Sequence, residues 1–315
     1  MSKFIFIILL CLPTFVNSNG HWSYKNKNDW QQNAHYCGGN LQSPIDLWFN
    51  RSRHDQRLKP LHLVEKPSHS EVIIQNNGHS VQLNLKDRYI LKKIAPLSED
   101  YNVEQAHFHW GHSYDNRTGS EHFLDGQSYP LEMHMVTYSS LFANIGEAAS
   151  NTRALAVVGI LFELSDEPNQ FLQPIIDALQ DIPYQNGQST IKNFNLLSLF
   201  DEKRMHRYYR YDGSLTTPAC FESVIWNVLQ EPLPISYDQL RAFQSLYDEH
   251  RQPLINTYRK IQPMGTRKLF RSFHAHHIHD NELKARISTT ENHAQRTFFN
   301  MKIILVLATF SMMKF

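Results

Sequence analysis

The sequence predicts a mainly β fold of the α+β kind, a single domain on one large, mostly antiparallel sheet with short peripheral helices. Apolar-rich runs of strand length recur through the middle of the chain. Helical spacing is confined to two short stretches, and long irregular segments rich in Pro, Tyr and Asn join the rest. The body from about Asn19 to Phe273 suits one large domain.

The elements follow in order. "EVIIQNNGHSVQLNL" carries two apolar-rich runs on either side of Asn76-Asn77-Gly78, which predicts a hairpin. "EQAHFHWG", Glu104 to Gly111, is strand-like and sets His107 and His109 two positions apart. "YPLEMHMVTYSS" is a second such run, with Glu132 and His134 in the same i, i+2 relation and Glu121-His122 in the loop before it. Leu155 to Leu164 is almost unbroken apolar sequence, a central strand by its length. Cys220 to Leu229, rich in Val, Ile and Trp, is a third strong strand. Apolar residues at 3–4 spacing predict helices over Glu167 to Leu179 and Ser236 to Tyr247.

The two ends differ from the body. Lys3, the apolar run Phe4 to Leu12, and Val16 and Ser18 at the −3 and −1 places before Asn19 read as a secretory signal peptide over 1–18. A buried N-terminal helix is the alternative, and Pro13 with Asn17-Ser18-Asn19 opposes it. Residues 274–297 read as a polar, His-rich stalk, with a solvated linker favoured over loose metal binding by its histidines. Residues 298–315 are apolar but broken by Asn300, Lys302 and Lys314, and the run Ile303 to Phe310 is too short to span a bilayer unaided. Small residues at Ser288-Thr289-Thr290, a polar spacer and this tail have the layout of a removed GPI signal, with Ser288 the attachment candidate. A short transmembrane tail and a docked terminal helix are the rivals.

Three cysteines occur, and Cys11 falls in the leader, leaving Cys37 and Cys220. An even pair in an oxidising compartment suggests one disulfide, with two buried thiols as the alternative. Asn50 and Asn116 head N-x-S/T triplets and are N-glycosylation candidates. A formal net charge of +1 gives no attraction to nucleic acid, and there is no Gly-rich phosphate loop, heptad seam or internal repeat.

Histidines at i and i+2 of a strand share a face, so His107 and His109 could share a metal or simply line a polar surface. If the two strand-like runs lie antiparallel, His134 could face that pair. Three neutral imidazoles leave a tetrahedral Zn²⁺ one open position for water, which is what a catalytic site requires. Gln105 and Glu132 are then placed to fix the histidine tautomers from behind.

The same residues carry a resemblance. "HFHWG", "GSEHFLDGQSYPLEMHMV" and "GSLTTPACFESVIW" resemble signatures of the α-class carbonic anhydrases, as do "LQSPIDL", "NNGHSVQL" and "RKIQPM". The match runs in order from His21-Trp22 to about Arg267. The cysteine positions and end signals are most similar to the secreted and membrane-attached, GPI-anchored members. The resemblance implies a twisted central sheet and zinc-dependent reversible hydration of CO₂ to bicarbonate and a proton by a zinc-bound hydroxide. One Zn²⁺ per chain is implied, held by His107, His109 and His134. It also implies that Thr216 accepts from the hydroxide while donating to Glu121, and that His79 is the proton shuttle. Tyr24, Asn77 and Gln82 would order the water path to His79. Val136, Val157, Leu215 and Trp226 would form an apolar wall for CO₂, and Thr217 would meet bicarbonate or anionic and sulfonamide-type inhibitors. His122 is expected to be structural, buried and bonded to its neighbours.

The implied setting is the extracellular face of the plasma membrane, through a lipid anchor, with a minor esterase activity. Thr137, Lys260 and Gln82 depart from residues the family often carries, and Ser80 is larger than alanine beside the shuttle. These bear on rate and inhibitor preference. The alternative function is a catalytically weak carbonic-anhydrase-like binding or adhesion module, which the intact histidine set with Glu121 and Thr216 opposes.

Overall fold

In a computed structural model of the chain, residues 22–67, 71–92, 94–112, 117–192, 194–200 and 202–274 are described. The leader over 1–18, Asn116, Ser288, nearly all of the stalk and the 298–315 segment lie outside them. The chain clusters into two units, Met1–Ser272 and Phe273–Phe315, and the first holds the described architecture.

Among the described residues a 13-stranded sheet dominates. Its main path is formed by β1 (Arg53–His54), β2 (Val72–Asn76), β3 (Val81–Asn84), β4 (Tyr101–Trp110), β5 (Leu131–Ser139), β6 (Leu155–Ser165), β7 (Gln188–Ile191), β8 (Tyr208–Gly213), β9 (Val224–Leu229) and β10 (Phe270–Arg271). The spatial order is β7-β2-β3-β4-β5-β6-β9-β8-β10-β1. Pairing from β7 to β6 is antiparallel throughout. Parallel pairs enter where β6 meets β9 and the strand Leu233–Ser236, and where β10 meets β1.

The two faces of the central strands have different partners. Ile74, Leu83, Phe108, Met133, Met135, Val158 and Ile160 point to one side and form the main core. His134, Val136, Val157 and Trp226 occupy the opposite parity and are buried too. This explains why every residue of β5 is buried: the strand has no solvent face. Near the core lie two short helices, α1 (Gln173–Leu179) and α2 (Tyr237–Gln244). Ser236 and Gln239 form a reciprocal capping box at the start of α2.

Three elements are shorter than the sequence pattern predicts. The helix expected from Glu167 begins only at Gln173, with Pro174 in its first turn, because the preceding chain is held in turns. Asn169 anchors those turns through Gln239 and the Pro234 carbonyl. Helix α2 stops at Gln244 instead of reaching Tyr247. The strand expected from Cys220 starts at Val224, since Cys220 has a left-handed φ of 59° that a strand cannot use. The expected hairpin is present, with Gly78 at φ 85° closing the turn between β2 and β3.

Candidate metal centre

Strands β4 and β5 bring the three histidines together. Their register sets His107 opposite His134 and His109 opposite Glu132. The ligand-capable atoms of His107, His109 and His134 lie within 4.8 Å of one another. His109 Nε2 and His134 Nδ1 are 3.0 Å apart. Zinc–nitrogen bonds in a tetrahedron put such atoms about 3.3 Å apart, so the spacing fits.

Each ring has one nitrogen already committed behind the cluster. His107 Nδ1 meets Gln105 Oε1 at 3.0 Å, and His109 Nδ1 meets the Thr257 carbonyl at 2.6 Å. His134 Nε2 meets Glu132 Oε1 at 2.8 Å. Those acceptors require N–H on the outer nitrogens, which leaves His107 Nε2, His109 Nε2 and His134 Nδ1 as lone-pair donors facing inward. Burial, reinforced by the neighbouring histidines, holds His107 well below its usual pKa and brings His109 down to about 3. Neutral imidazoles are the form that binds a metal.

Glu132 is the common support. Its Oε1 also meets His122 Nδ1 at 2.7 Å, and its Oε2 accepts from the backbone N–H of Glu121 and of His122, both at 2.8 Å. Burial alone would raise its pKa, but His122 and His134 keep it well below the usual carboxylate range. His122, expected to be structural, continues outward, its Nε2 2.7 Å from the Tyr211 hydroxyl, which lies 2.9 Å from Ser43 Oγ. His122, Glu132 and His134 form a second group compact enough to hold a metal. Their mutual hydrogen bonds already occupy the atoms that would do so.

Glu121 lies against the inner side of the imidazole cluster. Its Oε1 accepts from Arg259 N at 2.7 Å. Its buried Oε2 has no hydrogen-bond partner of good geometry among the described residues. That oxygen lies 3.5 Å from His109 Nε2 and 3.9 Å from His134 Nδ1, on the inner side of the cluster. Burial raises Glu121 to about 7, against a downward pull from His134, the Thr216 hydroxyl and the Arg259 N–H. Three inward lone pairs beside a buried carboxylate fit a dication.

The remaining candidates take up distinct places. Val136 pairs with Val157 across β5 and β6, Val157 pairs with Trp226 across β6 and β9, and all three are buried. The Trp226 ring lies 4.7 Å from the His134 ring. Leu215, Thr216 and Thr217 follow β8 in a loop closed by Cys220 N donating to Thr217 O at 2.8 Å. His79 stacks on Trp22 at 4.0 Å, with the rings 13° apart. Tyr24 keeps its proton, since loss of water contact and the Glu121 carboxylate raise its pKa well above the usual value. Gln82 sits opposite His107 in the β3–β4 pair. Asn77 Oδ1 is occupied by the N–H groups of His79 and Ser80. The Ser80 hydroxyl faces inward, 2.6 Å from the Phe108 carbonyl.

The Thr257 carbonyl and Gly159 had no sequence signal. A Cβ on Gly159 would come 3.1 Å from Glu132 Oε1, so the glycine leaves room for that carboxylate. Cys37 and Cys220 form a disulfide. Asn50 is exposed.

Comparison with known proteins agrees with this geometry. The model of the eukaryotic-type carbonic anhydrase family matches residues 25–273. Human carbonic anhydrase 12 is 36% identical over 273 residues, a span covering 83% of this chain and 75% of the human protein.

Proposed function

The chain belongs to the family of eukaryotic-type carbonic anhydrases, zinc enzymes that hydrate CO₂, and on that premise we propose residue roles for its reaction. His107, His109 and His134 would hold the zinc through the nitrogens their outer partners leave open. The observation that carries this is the convergence of three tautomer-fixed imidazoles whose open nitrogens face one another. Bound zinc is a Lewis acid that makes water ionise near neutral pH.

The protein's own groups do the rest. With Glu121 as acceptor, the Thr216 proton points away from the reacting centre, and the Thr216 oxygen is left to orient the nucleophile. Val136, Val157, Leu215 and Trp226 offer CO₂ an apolar wall without hydrogen bonds, so bicarbonate is not retained. Thr217 borders the place where bicarbonate, small anions or a sulfonamide would sit. His79 takes the released proton outward, and a side chain titrating near neutrality suits that task. Tyr24 and Gln82 border the water path, whereas Asn77 contributes chiefly by shaping the turn that carries His79.

The cysteine bridge supports an oxidising compartment and thus the outer cell face. The leader and the C-terminal signal read from the sequence add a lipid anchor at Ser288, and Asn50 and Asn116 are the glycosylation candidates. An activated ester is a second electrophile for the same nucleophile, giving a minor esterase activity.

Stopped-flow CO₂ hydration and zinc content, measured on one sample of the chain and on His109→Ala, test the assignment. Stoichiometric zinc and fast hydration are expected, with both lost in the variant. Folded wild-type protein with neither would promote the binding-module reading instead.

A further inference from the structure

We propose that the cleft between the turn Phe49–Arg51, strand β1 and residues 261–269 is a second ligand site, built for the sulfate or phosphate monoester of a sugar. The cleft encloses about 480 Å³ and shares no residue with the imidazole cluster. Four cations line it, Arg51, Arg53, Arg267 and Lys268, against one carboxylate, Asp46.

Those charges are only partly offset. Arg53 and Lys268 make no ion pair with any described carboxylate, and Arg51 has only a longer-range attraction to Asp46. Asp46 is engaged elsewhere, accepting from Gly126 N at 3.0 Å and from the Trp48 side chain. Arg267 spends its donors on carbonyls, Nε on Met264 at 3.0 Å, Nη2 on Pro263 at 2.7 Å and Nη1 on Asp212 at 3.2 Å. Its guanidinium is thereby fixed in the wall, with its charge offset only at longer range by Glu222 and Asp212. The nearby Asp212 carboxylate is taken by Arg153 at 3.1 Å.

Shape selects the ligand class. Guanidinium and ammonium groups around a hollow suit a tetrahedral oxyanion. The volume falls in the range of small-molecule sites, about 300–1,000 Å³, and far exceeds one such anion. Trp48, Met264 and Ile261, the last 42% exposed, give the remaining space an apolar lining for a sugar face. A sulfate and a phosphate ester share this chemistry, and the choice between them is left to measurement.

Isothermal titration calorimetry on the full chain separates the cases, with a sulfonamide present to fill the zinc site. Asn50→Gln is the background throughout, so that a glycan beside Arg51 cannot cover the cleft. The probes are N-acetylgalactosamine 4-sulfate, glucose 6-phosphate, inorganic sulfate and inorganic phosphate. One saturable site for a sugar ester is expected, and the tighter of the two esters identifies the anion. Arg53→Ala and Lys268→Ala should each weaken it about tenfold, the effect of losing one hydrogen bond to a charged group. CO₂ hydration, measured without the sulfonamide, should stay unchanged and so report intact folding. A control lacking Lys25 and Lys203, both paired elsewhere, should bind as the parent does. Equal weakening in that control would reduce the effect to the overall field and overturn the site. So would inorganic anions binding as tightly as the esters, or no saturable binding at all.

Discussion

Glu132 receives four hydrogen bonds, two on each oxygen, from His122, His134 and the backbone of Glu121 and His122. Glutamine offers one acceptor oxygen and turns an NH₂ group toward donors. Glu132→Gln should therefore weaken zinc retention by about 10–100-fold, the usual consequence of losing a support behind a metal-binding histidine. Dialysis against graded chelator checks it, and unchanged retention would show that Glu132 does not orient His134. Lys27 shows a different residue-scale effect. Half-buried, it donates to the Asn256 carbonyl at 3.2 Å and lies 4.4 Å over the Tyr258 ring. Burial lowers its pKa to about 8, against the opposing pull of Glu121. The unfolded value is about 10.4, so between these limits the unfolded chain binds more protons and stability rises with pH. The cost of burying the charge is thus fully present below pH about 8 and is relieved above it. The melting temperature of the wild type relative to Lys27→Met should climb between pH about 8 and about 10.4, by an amount that solvent screening reduces. A difference flat across that window would exclude the shift.

At the level of elements, one extra residue sets the phase of the metal-binding strand. Between Val103 and Gln105 the register of β4 against β5 slips, with Val103 opposite Thr137 and Gln105 opposite Val136. Glu104 is the bulged residue. Strict alternation would put Tyr101 and Val103 on the same face as His107 and His109. The bulge instead sends Tyr101, Val103, Ala106, Phe108 and Trp110 to one core and leaves Gln105, His107 and His109 on the other side. Deleting Glu104 should straighten the strand without changing its phase, because Val103 then runs directly into Gln105 opposite Thr137 and Val136, with both sets of side chains on the faces they already hold. The expected result is protein that keeps stoichiometric zinc and unfolds cooperatively, as Glu104→Ala does. A deletion variant without zinc would show that the local bend of the bulge, and not only the phase it sets, positions the histidines. This also marks what the sequence could reveal. The i, i+2 histidines and Glu132-x-His134 were readable because a strand's period of two acts within three residues. The bulge was not, since nothing local to Val103-Glu104-Gln105 announces a break in alternation. The Thr257 carbonyl that orients His109 was hidden too, because a backbone oxygen 148 positions away carries no residue identity.

For the whole molecule, the decisive constraint is the attachment of its N-terminal segment. Residues 22–45 contribute no strand to the sheet, yet they carry Trp22, which stacks on His79, and Tyr24. The segment is tied down by the Cys37–Cys220 bridge and by Arg259, which donates to the carbonyls of Cys37 and Ser43 and to Gln42 Oε1. Cys220 closes the loop that bears Thr216 and Thr217, so one covalent bond joins the proton-path side of the site to its nucleophile-orienting side. The histidines stand apart from it, on strands held by their own ladder. Replacing both cysteines by serine should cost up to about 5 kcal/mol, given their sequence separation of 183. Zinc content should remain stoichiometric in the folded variant while the hydration rate falls. Denaturant unfolding, metal analysis and stopped-flow on the same protein check the three parts. Zinc lost along with the rate would mean that the bridge supports the imidazole cluster itself. Stability and rate both unchanged would mean that Arg259 and the Lys27 contact suffice to hold the segment, because the bridge would then constrain nothing those bonds do not.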